Sequence, residues 1–463
     1  MSRRIKTLIM ALGVIVLLGG GYYGTILWKK NKSAAAASSY TPPEKLGDLD
    51  SSALVKLEPE NLTLEKKDEL WELVSLNGKE PPAGIELDQD RIRSALYGMS
   101  GPWIDRVVDD EPEDLSVYGL DKPLFRTAVT DSGGRKVEYI VGDMTPSRTS
   151  YYVMAEGDPK VYIVSSYAAE GLNLTLDQIR YRTLYQDYNF QTLTHFRMEM
   201  GESAPYKKLE IVVKPENAEP RLSTIFSGHL VISPYLLPRG LDSEAMDKLL
   251  APFANLEKDE FIDDTPSSLA PYGLDKPIRL FLENNDKSIE LLIGNPVDGK
   301  RYAKLPGEPG VFTVSGMEDL LTAKPFSLID KFALLVNIDS VENLSVSGGE
   351  RPLNADFQGT GDDAVYLLNG KQAESKSFKT WYQAVIGLLS DAEYPGPAAQ
   401  AAGTGNITIE YRLTRPPGAR ASITLVPYNR DFYALNQEGT TEFLISRNQV
   451  QKIYETADAM VFE

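Results

Sequence analysis

A chain of 463 residues is long for one domain and suits two to four, and its 42% apolar and 25% charged residues are enough to bury real cores, which excludes a disordered chain. A net charge of −18, from 48 basic and 66 acidic residues, excludes a general nucleic-acid binder, which needs a basic face. Cysteine is absent and histidine occurs only as His195 and His229, so disulfides, thiolate metal sites and cysteine nucleophiles are excluded and histidine-built sites nearly so.

The stretch 8–28 opens on Leu8, closes on Trp28 and holds 21 residues without a charge. At about 1.5 Å per residue it is long enough to cross a hydrocarbon core of roughly 30 Å. Arg3, Arg4 and Lys6 precede it, and Lys29, Lys30 and Lys32 follow it. Tyr22, Tyr23 and Trp28 suit a membrane interface, where amphipathic rings settle. A cleaved signal peptide has an apolar run of only about 7–15 residues. Residues 1–32 are therefore expected to form an uncleaved signal anchor, one transmembrane helix. The flanking basic residues balance, so charge does not set the orientation. A single N-terminal span ahead of a large domain usually exports that domain. The expectation is a single-pass protein of a bacterial cell membrane, with its bulk outside the cytoplasm. Residues 33–48 are small, polar and proline-containing, and read as a tether.

Self-similarity organises the remainder. Tyr118, Gly119, Leu120, Asp121, Lys122 and Pro123 recur in the same order as Tyr272, Gly273, Leu274, Asp275, Lys276 and Pro277. Short β-rich runs follow each copy, and Gly142 and Gly294 close equivalent apolar runs. A helix-like segment and a short strand precede each copy. The hexapeptide reads as a structural corner, with a ligand-binding role for Tyr118, Asp121 or Lys122 as the alternative. Glycine permits positive φ, Asp-Lys-Pro makes a turn, and the tyrosine ring packs while its hydroxyl finds a partner. A third, diverged copy has kept the helix and strand series but lost the hexapeptide. The stretch PGPAAQAAGTGN at 395–406 stands in its place and is expected to be an exposed loop. The fold class expected is α+β, with three repeated modules of antiparallel meander and flanking helices at 49–195, 196–335 and 336–463. KLEIVVK at 208–214 and VENLSVS at 341–347 are expected to open the second and third modules.

Phosphate-loop, H-E-x-x-H and G-x-S-x-G patterns are absent from the sequence. No catalytic, cofactor-binding or metal-ligating residue is nominated, no cofactor is expected, and the chain is read as a non-enzyme. Asp109, Asp110, Glu111, Glu113 and Asp114 precede the first hexapeptide, and Asp263 and Asp264 the second. Carboxylates there offer calcium ligands, but without EF-hand spacing. Tyr151, Tyr152 and Tyr302 are candidates for lining a groove.

The apolar N-terminal stretch, the W-x-L strand at Trp71, the YGLDKP phrase and the following IGD/IGN-type glycine turn resemble the bacterial family called domain of unknown function 4340. The resemblance implies an envelope protein, often encoded beside an ABC-2 type permease, its ATPase and a gliding-motility-type auxiliary subunit. It supplies no active-site residues. The function expected is a non-enzymatic, membrane-anchored, extracytoplasmic accessory subunit of an ABC-type transport or export complex. The expected partners are the membrane and a permease or auxiliary protein, with no nucleic acid. A glycan- or peptide-binding envelope module is the alternative, and an envelope hydrolase the third reading.

Overall fold

The structure, a computed structural model, describes residues 44–463 except 186–187, 202–203, 217–226, 397–404 and 415–417. The expected anchor at 1–32 lies outside the described residues, as do most of the tether and of the 395–406 stretch. Among the described residues, no helix is long and apolar enough to cross a membrane.

Three antiparallel sheets with few helices make up the described residues, an α+β architecture. The first sheet contains β1 (Leu54–Pro59), β2 (Leu62–Lys67), β3 (Leu70–Leu76), β4 (Ile104–Asp109), β5 (Phe125–Asp131), β6 (Lys136–Met144), β7 (Ser150–Ala155) and β8 (Val161–Ser165). Helix α1 (Gln89–Met99) precedes β4. The strand order is β3-β2-β1-β5-β6-β7-β8-β4.

The second sheet contains β9 (Leu193–Glu199), β10 (Lys208–Val213), β11 (His229–Ser233), β12 (Arg239–Gly240), β13 (Phe261–Asp263), β14 (Ile278–Asn284), β15 (Ser288–Val297), β16 (Lys300–Lys304) and β17 (Val311–Val314), with α2 (Ser243–Leu250) ahead of β13. Its order is β12-β11-β10-β9-β14-β15-β16-β17-β13. The third contains β18 (Val341–Ser347), β19 (Leu353–Gln358), β20 (Val365–Leu368), β21 (Lys371–Ala373), β22 (Ala392–Glu393), β23 (Ile407–Leu413), β24 (Arg420–Pro427), β25 (Phe432–Gln437) and β26 (Thr440–Ser446). Helix α3 (Ser375–Ile386) precedes β22, and α4 (Arg447–Asp458) follows β26. The order is β21-β20-β19-β18-β23-β24-β25-β26-β22.

The three orders are one topology. The first strand of each sheet is central, the next ones extend it to one side, and four later strands extend it to the other. The short strand that follows the helix closes that second side. The second and third sheets add one strand at the opposite edge, β12 and β21. KLEIVVK is thus the second strand of its sheet, and the opening strand is β9. There Phe196 and Met198 are buried between the polar His195, Arg197 and Glu199, the alternation of a strand with one wet face. VENLSVS is β18 and does open the third sheet.

Helix spacing follows the same logic. Phe378, Trp381, Tyr382 and Val385 of α3 recur at helical intervals and are all buried. The Glu374 side chain accepts the Ser377 amide at the N-terminus. Val450, Ile453, Tyr454 and Ala457 make the matching stripe of α4. In α1, Asp88 accepts from the Asp90 and Arg91 amides while Ile92 and Met99 face the core.

The chain divides into two compact units at Tyr181/Arg182. The first has its own core, around Trp71, Ile92, Tyr139, Val141, Val153 and Val164. The second holds the other two sheets on one continuous core, from Phe196 and Leu280 through Phe312 to Trp381 and Tyr411. A seam between those two sheets carries buried charge. The Arg239 guanidinium, 5% exposed, donates to Glu442 Oε2 at 2.8 Å and to Gln437 Oε1, and lies 4.6 Å from the Phe443 ring centroid. Gln437 passes the chain on to the Ala333 carbonyl at 2.6 Å, and Glu442 also accepts the Leu236 amide at 2.6 Å. Tyr235 donates to Glu393 at 2.8 Å. Backbone bonds from Ala333 to Leu388 at 2.9 Å and from Ser390 to Lys331 at 2.8 Å complete the stitching.

Two outcomes follow from this core. Arg239→Ala leaves the Glu442 carboxylate buried without its cation and should destabilise the second unit by about 3–5 kcal/mol, read as a lower urea midpoint. Replacing the pair together, Arg239→Met with Glu442→Leu, should recover most of that loss. Burial pushes the Tyr188 phenol up to about 12 and those of Tyr382 and Tyr411 higher still. Unfolded phenols ionise near pH ~10, so the unfolded chain loses protons that the folded chain retains. Stability should be flat with respect to these groups below pH ~10 and fall steadily above it. Tyrosinate absorbance should then rise together with the loss of sheet circular dichroism.

Candidate functional site at the repeated corners

Each corner begins with one short turn of 3-10 helix, Leu115–Tyr118 and Ala270–Tyr272. The glycine after each tyrosine takes left-handed geometry, φ 67° and ψ 17° at Gly119 and φ 69° and ψ 17° at Gly273. That turn lets the Leu120 amide reach the Leu115 carbonyl at 3.0 Å, and the Leu274 amide reach Leu269 at 3.1 Å. Leu120 and Leu274 then bury themselves on the sheet face away from the main core. Leu120 packs with Ile140 and Val161, and Leu274 with Leu292 and Val311.

The tyrosines are fixed at both ends. Tyr118 donates to Asp109 Oδ2 at 2.9 Å, and Tyr272 to Asp263 Oδ2 at 3.1 Å. Their rings meet Tyr152 and Tyr302 edge to face, both at 5.1 Å between centroids. The bond to Asp109 raises the Tyr118 phenol above its ordinary range; for Tyr272 burial is the larger cause and the Asp263 bond the next. Tyr152 and Tyr302, candidates for a groove, are packing partners of the corner.

Gly142 and Gly294 lie directly beneath. A Cβ on Gly142 would sit 2.2 Å from the Tyr118 carbonyl oxygen, and one on Gly294 2.1 Å from that of Tyr272. Only glycine fits there without displacing the backbone. Immediately afterwards the β6–β7 register shifts between Val141 and Met144, and the β15–β16 register between Ile293 and Pro296.

The third sheet shows what happens without the corner. Val153 pairs with Tyr162, Ala303 with Phe312 and Leu435 with Phe443; across the next ladder the same three pair with Val141, Ile293 and Leu425. The residue after these last three is Gly142, Gly294 or Val426. In the third sheet valine stands in place of glycine, and the β24–β25 pairing continues unbroken through Pro427. The stretch 395–406 joins β22 to β23, the same place in the topology as the corners. Glu442 precedes Phe443 as Val161 precedes Tyr162 and Val311 precedes Phe312, but the β25–β26 register shifts at Glu442, and its carboxylate holds the seam to Arg239.

Four of the acidic residues near the corners are engaged in structure. Asp109 and Asp263 hold the tyrosines. Asp110 pairs with Lys160 at 3.3 Å, and Asp114 accepts the Ser116 amide at 2.9 Å. Hydrogen bonds from Ser116 keep the Asp114 carboxyl below its usual range. Among the described residues, no group of three or more His, Asp or Glu side chains is arranged to hold a metal ion. His195 lies between Glu210 at 2.9 Å and Glu283 at 3.7 Å on the second sheet, and His229 meets the Leu193 carbonyl at 3.0 Å. A 690 Å3 concavity beside α2 is lined by Asp242, Glu244, Lys248 and Asp319, but Lys248 is paired with Glu244 at 2.8 Å and Asp242 caps the helix. Ser327, also in its lining, donates its hydroxyl to the Lys324 carbonyl at 2.7 Å.

One part of the hexapeptide has no internal role. Asp121, Lys122, Asp275 and Lys276 are exposed, and no hydrogen bond or ion pair engages them among the described residues. Other charged residues retained in both copies do have partners, as in the pairs Arg126–Glu138 at 2.9 Å and Arg279–Glu290 at 3.1 Å. The corner is thus a rigid mount that presents the same Asp–Lys doublet twice. Gly142→Ala and Gly294→Ala should each cost about 1–3 kcal/mol by forcing the strand off the tyrosine carbonyl. Val426→Ala should cost no more than about 1 kcal/mol, the loss of two methyl groups from a half-buried side chain. Urea unfolding of the three variants gives the comparison.

No characterised protein and no solved structure matches the chain. Residues 71–222 and 231–388 each match the family described as a domain of unknown function, DUF4340. Both matches start on the third strand of a sheet, at β3 and β11, and run into the following sheet, so the family unit is out of phase with the sheets. Together they span well over half of the chain, and the protein belongs to the DUF4340 family.

Proposed function

We propose that the protein is a non-enzymatic, membrane-anchored, extracytoplasmic accessory subunit of an ABC-type transport or export complex, and that the repeated Asp–Lys doublets contact its protein partner. The observation that carries this reading is the pair Asp121–Lys122 and Asp275–Lys276. These are the same charges on the same rigid mount in two diverged modules, exposed and without an internal partner. Exposed charges steer association and set which partner is accepted more than they add affinity. Two copies on one chain suit a bivalent contact, in which the second engagement is intramolecular. The uncharged stretch from Leu8 to Trp28 supports attachment to a membrane, and the association implied by the family resemblance supports an ABC-2 type permease as the partner.

The test is affinity purification of the full chain from its native membrane in mild detergent. An ABC-2 type permease and its ATPase should co-purify. Asp121→Ala, Lys122→Ala, Asp275→Ala and Lys276→Ala together should release them while changing stability by no more than about 0.5 kcal/mol per site. Purification without a permease, or a fourfold variant that keeps it, would overturn the proposal.

A further inference from the structure

The first described residues are not free at the edge of the fold. The Leu46 amide donates to the Pro102 carbonyl at 3.0 Å, the Ile104 amide to Glu44 at 2.9 Å and the Leu49 amide to Ser100 at 3.0 Å. Leu46 and Leu49 are buried. The incoming chain is therefore fastened to the start of β4, the edge strand of the first sheet. At that point the Lys45 ammonium lies 4.2 Å from the Tyr97 ring centroid and 5.1 Å from that of Trp103. Both rings face solvent, Tyr97 59% and Trp103 39% exposed, and Val107 and Val108 of β4 are exposed as well. Local charge is balanced, with Glu44 and Asp105 against Lys45 and Arg106.

Fifteen residues, 29–43, separate Trp28 from Glu44. Fully extended they reach at most about 50 Å, and as a flexible chain about 20 Å. If the stretch ending at Trp28 spans the bilayer, this edge is held close to its surface at high effective concentration. Tyrosine and tryptophan partition into the headgroup interface, and a lysine lying across their rings can carry its ammonium to a lipid phosphate. A locally neutral patch suits a zwitterionic surface.

We propose that Lys45, Tyr97 and Trp103 form a membrane-contact face that seats the first module on a zwitterionic bilayer; the proposal rests on the anchored reading given above. Trp103 reports on it directly. Trp71 and Trp381 are buried, and Trp28 is removed as Trp28→Phe. The full chain with Trp28→Phe is placed in phosphatidylcholine nanodiscs containing brominated lipid, with Trp28→Phe plus Trp103→Phe as the subtraction. The Trp103 component should be quenched by the brominated lipid, emit further to the blue than in detergent, and resist aqueous acrylamide. A chain that inserts but leaves Trp103 open to acrylamide and unquenched by lipid would overturn the contact face alone. Protection from acrylamide without lipid quenching would overturn it too, by placing a protein over the patch. A chain that fails to insert, and stays soluble in the presence of lipid, would overturn the anchored reading and this inference together.

Discussion

The approach of a tyrosine carbonyl to a strand glycine sets the form of the first two sheets. At 2.2 Å and 2.1 Å from where a Cβ would stand, the Tyr118 and Tyr272 oxygens leave no room for a side chain at Gly142 or Gly294. The rest of the corner follows from that contact. The left-handed glycine turns the chain back over the sheet, and the following leucine fills the space beside Val161 or Val311. The tyrosine hydroxyl ends on an edge-strand aspartate, and the strand beneath shifts register to accommodate the corner. Removing the corner relieves all of these demands at once, and the third sheet, with valine at 426, an unbroken ladder and a different connection, is the outcome.

The third sheet, which lacks the corner, takes part in a buried ion pair instead. Glu442, at the register shift of β25–β26, carries charge with Arg239 and Gln437 through the interior of the second unit. A buried ion pair contributes little net stability, because the desolvation of both charges offsets their attraction. It makes misalignment expensive, since a small shift would leave either charge buried and alone. The seam thereby fixes the register of one sheet against the other, while Phe443, Phe326 and Tyr235 supply the apolar contact around it. Topologically equivalent sheets have in this way produced one unit with a core of its own and another that shares its core between two sheets.

The excess of acidic residues has an ordinary structural use near the corners, where carboxylates receive tyrosine hydroxyls, cap turns and pair with lysine. What these tasks leave over is more informative. Asp121, Lys122, Asp275 and Lys276 recur in both modules, are exposed and have no hydrogen-bond or ion-pair partner among the described residues, and these are the charges proposed to meet another molecule. The aromatic pair around Lys45, at the point where the described chain begins, is the second surface proposed for contact, with different chemistry.

Much of this was legible in the sequence. The repeated YGLDKP, the glycines at 142 and 294, and the strand and helix periodicities identify three related α+β modules, because turn chemistry and side-chain alternation are local properties. They also place the missing corner of the third module between the correct strands. The sequence misleads on the opening strand of the second sheet, where the short polar-apolar alternation of β9 is weaker than the apolar run of β10. It carries no sign that Tyr118 would meet Asp109 and Tyr152, that Gly142 lies beneath a carbonyl rather than in an open turn, or that Glu442 would pair with Arg239. That last pair is 203 residues apart, and each residue alone reads as an ordinary surface charge. Local preference determined the elements and their order; which side chains meet, and which charges are left without a partner, was decided only when the sheets closed on one another.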